Sequence, residues 1–413
     1  MALAFDFSAM RATLANRNFA LFTAGNGVSL VGSWVQRVAI GWLTWELTHS
    51  PAWLGAVSMA EFLPVIFLAP LTGVMADRFD RRRITLIGQI VATVQATVLA
   101  VLTLTGHITP VLILMMQIMI GLVAPLIQTA RLVIVPSLLP REQVGQAVAI
   151  TSLVFNLARI IGPALSGLMI AGIGAGWAFA VNAVSYLFVV ASVMKLTLPP
   201  HQPRAAMQVP LLHGLWSDFL GGWRYTFTHA TLRWVLPVIF VSSVMSWPVS
   251  DLLAGIADHE FGRGVTGLAI FASAQGVGAI LGGLFLAQRP GGKEGGKEMG
   301  ALFVRATILN GAFLVGFALT DIFWLAVPLY ATFGMFMVMG GATSQTVIQT
   351  HAAEDMRGRT ISIWYTITRV GLAFGALILG TLADAFGFAV PLAAAGLITA
   401  VTAAAIWHRR ADR

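Results

Sequence analysis

Long apolar stretches dominate the sequence, and short polar or turn-forming breaks separate them. A helix needs about 20 mostly apolar residues to cross the hydrocarbon core of a bilayer, and windows of that kind recur from Phe19 to Trp407. They predict twelve spans, at residues 19–46, 52–76, 84–105, 109–132, 147–171, 177–196, 232–256, 265–287, 301–319, 322–346, 360–383 and 387–407. The pattern therefore predicts an all-α integral membrane protein.

Most of the breaks between these stretches are only a few residues long. Residues 48–52, 105–110, 172–176 and 385–388 carry the Gly and Pro residues typical of tight turns. One break is much longer, from residue 197 to 231, and it contains four prolines. We therefore expect an N-terminal six-helix lobe at 1–196, a cytoplasmic linker at 197–231 and a C-terminal six-helix lobe at 232–413.

A weak internal repeat supports this division. Residues 141–169 align with residues 354–382 at a constant offset of 213. The aligned pairs are Gly145 with Gly358, Gly162 with Gly375 and Gly167 with Gly380, and the same offset pairs Trp34 with Trp247. Repeats in the same orientation are typical of two-lobed membrane proteins. The repeat predicts that the two lobes are pseudo-symmetric.

Composition and charge placement agree with a membrane location. Hydrophobic residues make up 57% of the chain and charged residues 10%, whereas soluble proteins have about 25% charged residues. The net charge is +8, and most of the Lys and Arg residues lie in one set of loops and ends, whereas the opposite loops carry Arg263 as their only Lys or Arg. Because positive loops stay in the cytoplasm, both termini are expected there. The basic charge then reports topology, so no nucleic-acid partner is expected.

Several kinds of chemistry lack the residues they need. The chain has no cysteine, which excludes disulfides and thiolate metal sites. His351 and Glu354 have a spacing that could suit a metal, but they lack further ligands nearby. No GxxxxGK loop for ATP phosphates occurs, and no His, Asp or Ser constellation converges at one membrane depth. We expect no metal, no cofactor and no enzymatic activity.

The most specific motif is GVMADRFDRRR, at residues 73–83, between the second and third predicted spans. Here the chain resembles the major facilitator superfamily, whose loop after the second helix carries Gly, three residues, Asp, Arg and further basic residues. The resemblance implies a cytoplasmic gate formed by Gly73, Asp77, Arg78 and Arg82. One position departs from the pattern, because Asp80 stands where Gly is usual.

The resemblance narrows in the first half of the chain. Residues 16–55, 61–83 and 156–168 resemble the branch that contains enterobactin exporters and related multidrug exporters. The helix-packing residues Gly162, Pro163 and Gly167 are similar to a Gly-Pro motif found in antiporters. The resemblance implies export of a small amphipathic molecule, a drug or siderophore-like compound, by alternating access and proton-coupled antiport. It also implies a monomer in a bacterial inner membrane.

Two other functions use the same kind of architecture. A lipid or lysolipid translocator would need the same fold with a cavity open sideways to the bilayer. Long soluble insertions would favour a non-transporting receptor or scaffold. The longest soluble stretch predicted here is the linker of 35 residues. Both alternatives stay open at the level of sequence.

Ionisable residues inside predicted spans are the remaining candidates for chemistry. A charge at the centre of a spanning helix costs about 2.5–3.5 kcal/mol, so such residues usually face a cavity or a partner. Glu61 and Asp251 are candidate proton-coupling acids, with fixed pairing to an arginine as the alternative. The candidates for lining a substrate cavity are Trp34, Arg37, Arg159, Trp247 and Arg369. For Arg159 and Arg369 the alternative role is hydrogen bonding to backbone carbonyls, and for Arg37 it is an ion pair with Glu61.

Overall fold

The computed structural model describes residues 7–78, 80–197, 221–289, 296–354 and 356–411. Twelve long helices occur in these ranges, which contain no β-strand. We number them α1 (Arg17–Thr48), α2 (Pro51–Arg78), α3 (Arg81–Leu104), α4 (Pro110–Ser137), α5 (Val144–Ile173), α6 (Ala175–Lys195), α7 (Leu232–Met245), α8 (Gly264–Ala287), α9 (Gly296–Ala318), α10 (Phe323–His351), α11 (Arg357–Phe386) and α12 (Ala389–Ala411). A short helix, Phe7–Leu14, precedes α1, and residues 221–228 are also helical.

The long helices confirm the expected all-α membrane architecture of twelve helices. Ten segments of the described chain are long and apolar enough to cross a bilayer. The other two, α1 and α2, have 32 and 28 residues, which at about 1.5 Å per residue exceeds the bilayer core. The helical segment at 221–228 lies inside the range expected as a linker, of which residues 198–220 lie outside the described residues.

The ends of the helices lie at the predicted breaks, and local chemistry explains them. Pro51 occupies the first position of α2 and Pro110 the first position of α4, where a missing N–H costs no hydrogen bond. The hydroxyl of Thr109 caps α4 by accepting a hydrogen bond from the Leu112 N–H. Gly174 separates α5 from α6 with φ of 90°, a conformation that a side chain would disfavour.

The seventh span differs from the prediction of one regular helix over residues 232–256. Regular α-helix ends at Met245, and a 3₁₀ turn (Trp247–Asp251), a single α turn (Leu253–Gly255) and a π turn (Ile256–Glu260) follow. Pro248 explains the break, because it has no N–H to donate and its ring clashes with the preceding turn. Turns of the π type are frequent at functional sites, and Asp251 lies within this interrupted segment.

The helices group into two compact units. One comprises residues 1–47 and 67–206, and the other comprises residues 48–66 and 207–413. The first half of α2 therefore groups with the second unit, which a division of the chain at the linker does not anticipate. The predicted boundaries of the lobes place all of α2 in the first lobe.

Each unit has a hydrophobic cluster, and the clusters occupy corresponding helix ends. In the first unit, Phe19 and Phe22 from the start of α1 pack with Ile134 of α4 and with Val189 and Val193 near the end of α6. In the second unit, the start of α7 packs with the start of α9, the end of α10 and the start of α11, as the contacts of Leu236, Phe303, Val347 and Ile363 show. The correspondence agrees with the internal repeat.

Asp80, the residue that departs from the family pattern, caps the N-terminus of α3. Its carboxylate accepts hydrogen bonds from the N–H groups of Arg82 and Arg83, at 2.7 and 3.2 Å. An acidic N-cap satisfies donors that have no partner within the helix, and its charge favours the positive end of the helix dipole. The substitution of Gly by Asp therefore has a structural explanation.

We expect Asp80→Ala to lower the free energy of unfolding by about 0.5–2 kcal/mol, the usual cost of losing an N-cap. Asp80→Asn should retain most of the stability, because Asn also caps helices. Thermal unfolding of the purified variants in detergent measures both effects. Equal stability of Asp80→Ala and the unchanged protein would show that the cap contributes nothing.

Candidate functional site

Three of the five predicted cavity residues lie together in the first unit. The guanidinium carbon of Arg37, on α1, is 6.0 Å from the centre of the Trp34 ring, and that of Arg159, on α5, is 5.8 Å from the same ring. Phe155 meets the indole edge-on, with 6.2 Å between ring centres. All four side chains are only partly buried or exposed. An indole with two arginines close to its ring forms a cationic, aromatic surface.

Close packing of α1 on α5 places these side chains. Gly162 is buried, and a Cβ there would collide with the Cβ of Trp34. Four residues further along α5, the buried Ser166 donates a hydrogen bond to the Val35 carbonyl at 2.9 Å. The predicted helix-packing motif thus lies at a helix contact, and Pro163 and Gly167 beside it are buried.

The second unit repeats this contact between α7 and α11. A Cβ at Gly375 would collide with the carbonyl oxygen of Val244. The offset of 213 pairs Val244 with Val31, and the carbonyl oxygen of Val31 lies next to Gly162 in the same way. The glycine pairing that the sequence repeat predicts is therefore also a pairing of contacts. This agreement makes chance matching of glycine-rich helices a poor explanation of the repeat.

The other two predicted cavity residues have separate surroundings in the second unit. Trp247 lies beside Gly341 of α10 and lines a small cavity with Ser242, Thr307 and Asn310. The Arg369 guanidinium lies over Tyr365, at 5.0 Å from the ring centre, and over Phe62, at 5.4 Å. Stacking on two rings is a favourable position for an arginine.

The candidate acids both lie in the second unit. Ser58, which is buried in α2, donates a hydrogen bond of 2.7 Å to Oδ2 of Asp251. Glu61 lies three residues further along α2 and is partly buried. The hydrogen bond links α2 to the interrupted part of the seventh span. Neighbouring Ser250 accepts a hydrogen bond from Gln275 at 2.6 Å, which holds the same segment against α8.

The first half of α2 also packs closely on α11 in this unit. A Cβ at Gly55 would collide with the Ala376 carbonyl, and one at Gly380 would collide with the Pro51 carbonyl. Just before α2, the Ser50 hydroxyl donates a hydrogen bond of 2.8 Å to Asp384. Small residues let the two backbones approach, as is usual for helices in membranes.

A buried chain of amides in the first unit was missed in the sequence. Ser185 donates to Asn182, Asn182 donates to Gln36 at 2.8 Å, and Gln36 donates to Gln95 at 2.9 Å. All four side chains are buried. Isolated amides within apolar spans were the available signal, since uncharged polar groups inside a membrane need partners. The chain joins α1, α3 and α6.

The family motif after α2 is only partly described. The side chains of Gly73, Asp77 and Arg78 lie outside the described part of the structure. The Arg82 guanidinium donates a hydrogen bond of 2.5 Å to the carbonyl of Met194 in the last turn of α6. An arginine at a helix C-terminus satisfies a free carbonyl and complements the dipole. Arg82 therefore ties the start of α3 to the end of α6.

His351, considered as a metal ligand, lies at the end of α10 beside a second histidine of the same unit. His229 accepts hydrogen bonds at Nδ1 from the N–H groups of Thr231 and Leu232 at the start of α7. Burial lowers the pKa of His229, and the charge of His351 lowers it further. The described residues contain no group of three or more potential metal ligands. His229 therefore supports the start of α7 through these two hydrogen bonds.

Comparison with known proteins agrees with this architecture. A family model described as "Transmembrane secretion effector" matches residues 8–411. The enterobactin exporter EntS of Salmonella typhi is 28% identical over 366 residues, covering 86% of this chain and 83% of that protein. EntS of Shigella boydii serotype 4 (strain Sb227) is 27% identical over 364 residues, covering 86% and 82%.

Solved structures share the fold at low sequence identity. A mutant of the nucleoside transporter NupG has a TM-score of 0.75 and 13% identity, covering 95% of this chain and 99% of that chain. A bacterial homologue of the human lysosomal transporter Spinster has a TM-score of 0.67 and 14% identity, covering 94% and 95%. These similarities concern the fold alone.

The twelve helices of the described residues and their repeated contacts define a multi-pass membrane fold. The chain belongs to the transmembrane secretion effector family, within the major facilitator superfamily. It is a secondary transporter that exports a small molecule, and it is not an enzyme.

We expect Gly162→Ala and Gly375→Ala each to destabilise the protein by roughly 1–3 kcal/mol, the usual cost of overpacking. Gly145→Ala is the matched control, because it lies in α5 with open space around the position of the new Cβ. Alanine is the better helix former, so the control should be neutral or slightly stabilising. Thermal unfolding in detergent compares the three. If all three behaved alike, the two close contacts would be wrong.

Proposed function

We propose that the protein exports a small amphipathic molecule, of the drug or siderophore type, across a bacterial inner membrane in exchange for protons. The observation that carries this proposal is the match to a secretion family over residues 8–411 together with curated relatives named as enterobactin exporters. The cationic, aromatic surface around Trp34 supports an amphipathic substrate. Enterobactin, which the names of those relatives give as their substrate, is one example of this class of molecule.

The mechanism we propose is alternating access, in which the solute site opens to one side of the membrane at a time. The motif of Gly73, Asp77, Arg78 and Arg82 then helps to latch the cytoplasmic side. The contact of Arg82 with the end of α6 supports this role, because it fixes the base of the motif. We propose further that the transporter acts as a monomer with both termini in the cytoplasm.

Asp251 is our first candidate for the coupling acid, and Glu61 is the second. The reason is the hydrogen bond from Ser58, which joins Asp251 to α2. A carboxylate accepts this bond with a charged oxygen, and charged acceptors form stronger hydrogen bonds than neutral ones. Protonation would weaken the link between α2 and the interrupted span. A proton could in this way change which helices stay in contact.

The test uses purified protein in liposomes with an acidic lumen and a solute chosen by a growth screen of drugs and siderophores. We expect the solute to accumulate while protons leave the lumen, as reported by a trapped pH dye. Asp251→Asn should reduce gradient-driven accumulation to the level of empty liposomes. Exchange of labelled for unlabelled solute should continue, because the solute site is unchanged.

The matched control is Asp321→Asn, which removes an exposed acid in the loop between α9 and α10. It should transport normally. Accumulation without dependence on the gradient would refute proton coupling, and gradient dependence in Asp251→Asn would assign the coupling to Glu61, tested by Glu61→Gln. Movement of a fluorescent lysolipid instead of any solute would favour the translocator, and absence of all flux would favour a receptor or scaffold.

A further inference from the structure

The surface around Trp34 combines two features that together point to a kind of ligand. Arg37 and Arg159 bring two positive charges to one indole, and both guanidiniums lie about 6 Å from its centre. Each also contacts other protein groups. A guanidinium has five N–H donors, so it can keep a protein partner and bind a ligand as well.

The α5 side of this surface is exposed. Phe155 is 43% exposed, yet it lies on the same face of α5 as Gly162 and Ser166, which are buried against α1. The lipid-type residues Leu157 and Ile161 are exposed on the other side of the helix. The 3.6-residue period separates the two faces. Phe155 is therefore accessible to a ligand on the face of α5 that packs on α1.

The α1 side is open as well. Gly41 lies seven residues after Trp34, two turns along the same face of the helix. No heavy atom lies within 4 Å of the position that a Cβ would occupy at Gly41. The surface of α1 is therefore open at Gly41.

We propose that Trp34, Arg37, Phe155 and Arg159 form a binding site for a planar aromatic anion, such as an aryl carboxylate or phenolate. The aromatic part stacks on Trp34 and Phe155, and the anionic oxygens accept hydrogen bonds from the two guanidiniums. An anion that accepts hydrogen bonds from both guanidiniums forms charge-assisted bonds in addition to the contacts that each arginine keeps with the protein. This inference rests on the proposed function, because it names the class of solute that the transporter carries.

Three probes with the same bicyclic carbon skeleton separate the contribution of charge from that of aromaticity. 1-Naphthoate is an aromatic anion at neutral pH, 1-naphthamide is its neutral counterpart, and decahydro-1-naphthoate is a saturated anion. Equilibrium dialysis with purified protein in detergent measures their binding. We expect 1-naphthoate to bind about tenfold or more tightly than either of the others, since each lacks one of the two interactions. Equal binding of all three, or no binding of 1-naphthoate, would overturn the proposal.

Variants then locate the binding. Arg159→Gln and Arg37→Gln should each weaken binding of 1-naphthoate about tenfold while leaving that of 1-naphthamide unchanged, and Trp34→Leu should weaken both. Arg159→Lys, which keeps the charge without the planar fork, should retain part of the preference for the anion. Arg305→Gln, on the exposed surface of α9, is the matched control and should bind normally. Normal binding by Arg159→Gln and Arg37→Gln would contradict the site.

Different results would refute the proposed binding site and the proposed transport function. If the protein exports a neutral solute in liposomes but does not prefer 1-naphthoate, the function stands and the assigned class of substrate is wrong. If 1-naphthoate binds as expected but no solute crosses the membrane, the site stands and the transport function is wrong. A gel-filtration profile for each variant shows whether it is folded, and the three-probe comparison on the unchanged protein needs no variant.

Discussion

Close approach of helix backbones at small residues is the constraint on which the rest of this structure depends. Lipid provides no hydrophobic force that drives helices together, so packing has to come from close contact. Gly162 lets α1 pack closely on α5, and Gly375 lets α7 pack closely on α11. The first of these contacts sets the distance between Trp34 and Arg159. The cationic, aromatic surface thus depends on Gly162, whose lack of a side chain permits the close contact.

The same constraint gives α2 a special position. Its first half packs on α11 through Gly55 and Gly380 and is hydrogen-bonded at Ser50 and Ser58, whereas residues from 67 onward group with the first unit. One helix therefore belongs to both compact units. In an alternating-access transporter some packed helices must separate, and we expect the contact of α2 with α11 to be one that opens.

Much of the fold could be predicted because membrane-spanning helices leave strong signals. Twelve apolar stretches and the Gly and Pro residues at their ends determined the helices, and the offset of 213 identified the glycines that now lie at equivalent contacts. The interrupted seventh span was not predicted, since hydropathy does not register the effect of Pro248 on hydrogen bonding. The role of Asp80 as a cap was also missed, because family likeness marked it only as a departure.

The candidate site could be predicted in part. Charges and tryptophans in apolar spans were found because they are rare there, and Trp34, Arg37 and Arg159 do lie together. Phe155 was missed, because one phenylalanine among 25 carries no signal without its neighbours. Trp247 and Arg369 have separate surroundings, since sequence depth places a residue along the bilayer normal but does not determine its direction around the helix. The amide chain through Gln36 likewise depends on contacts between distant helices.

Reversible cross-linking of α2 to α11 tests the central claim most directly. The chain has no cysteine, so the pair Ser50→Cys with Asp384→Cys introduces the only thiols, at side chains whose oxygens are 2.8 Å apart. Solute flux in liposomes is measured after oxidation and again after reduction, with each single variant as a control. The account predicts that the disulfide forms, that flux stops while it is present, and that flux returns after reduction. Full cross-linking with unchanged flux, or failure of the disulfide to form, would contradict it.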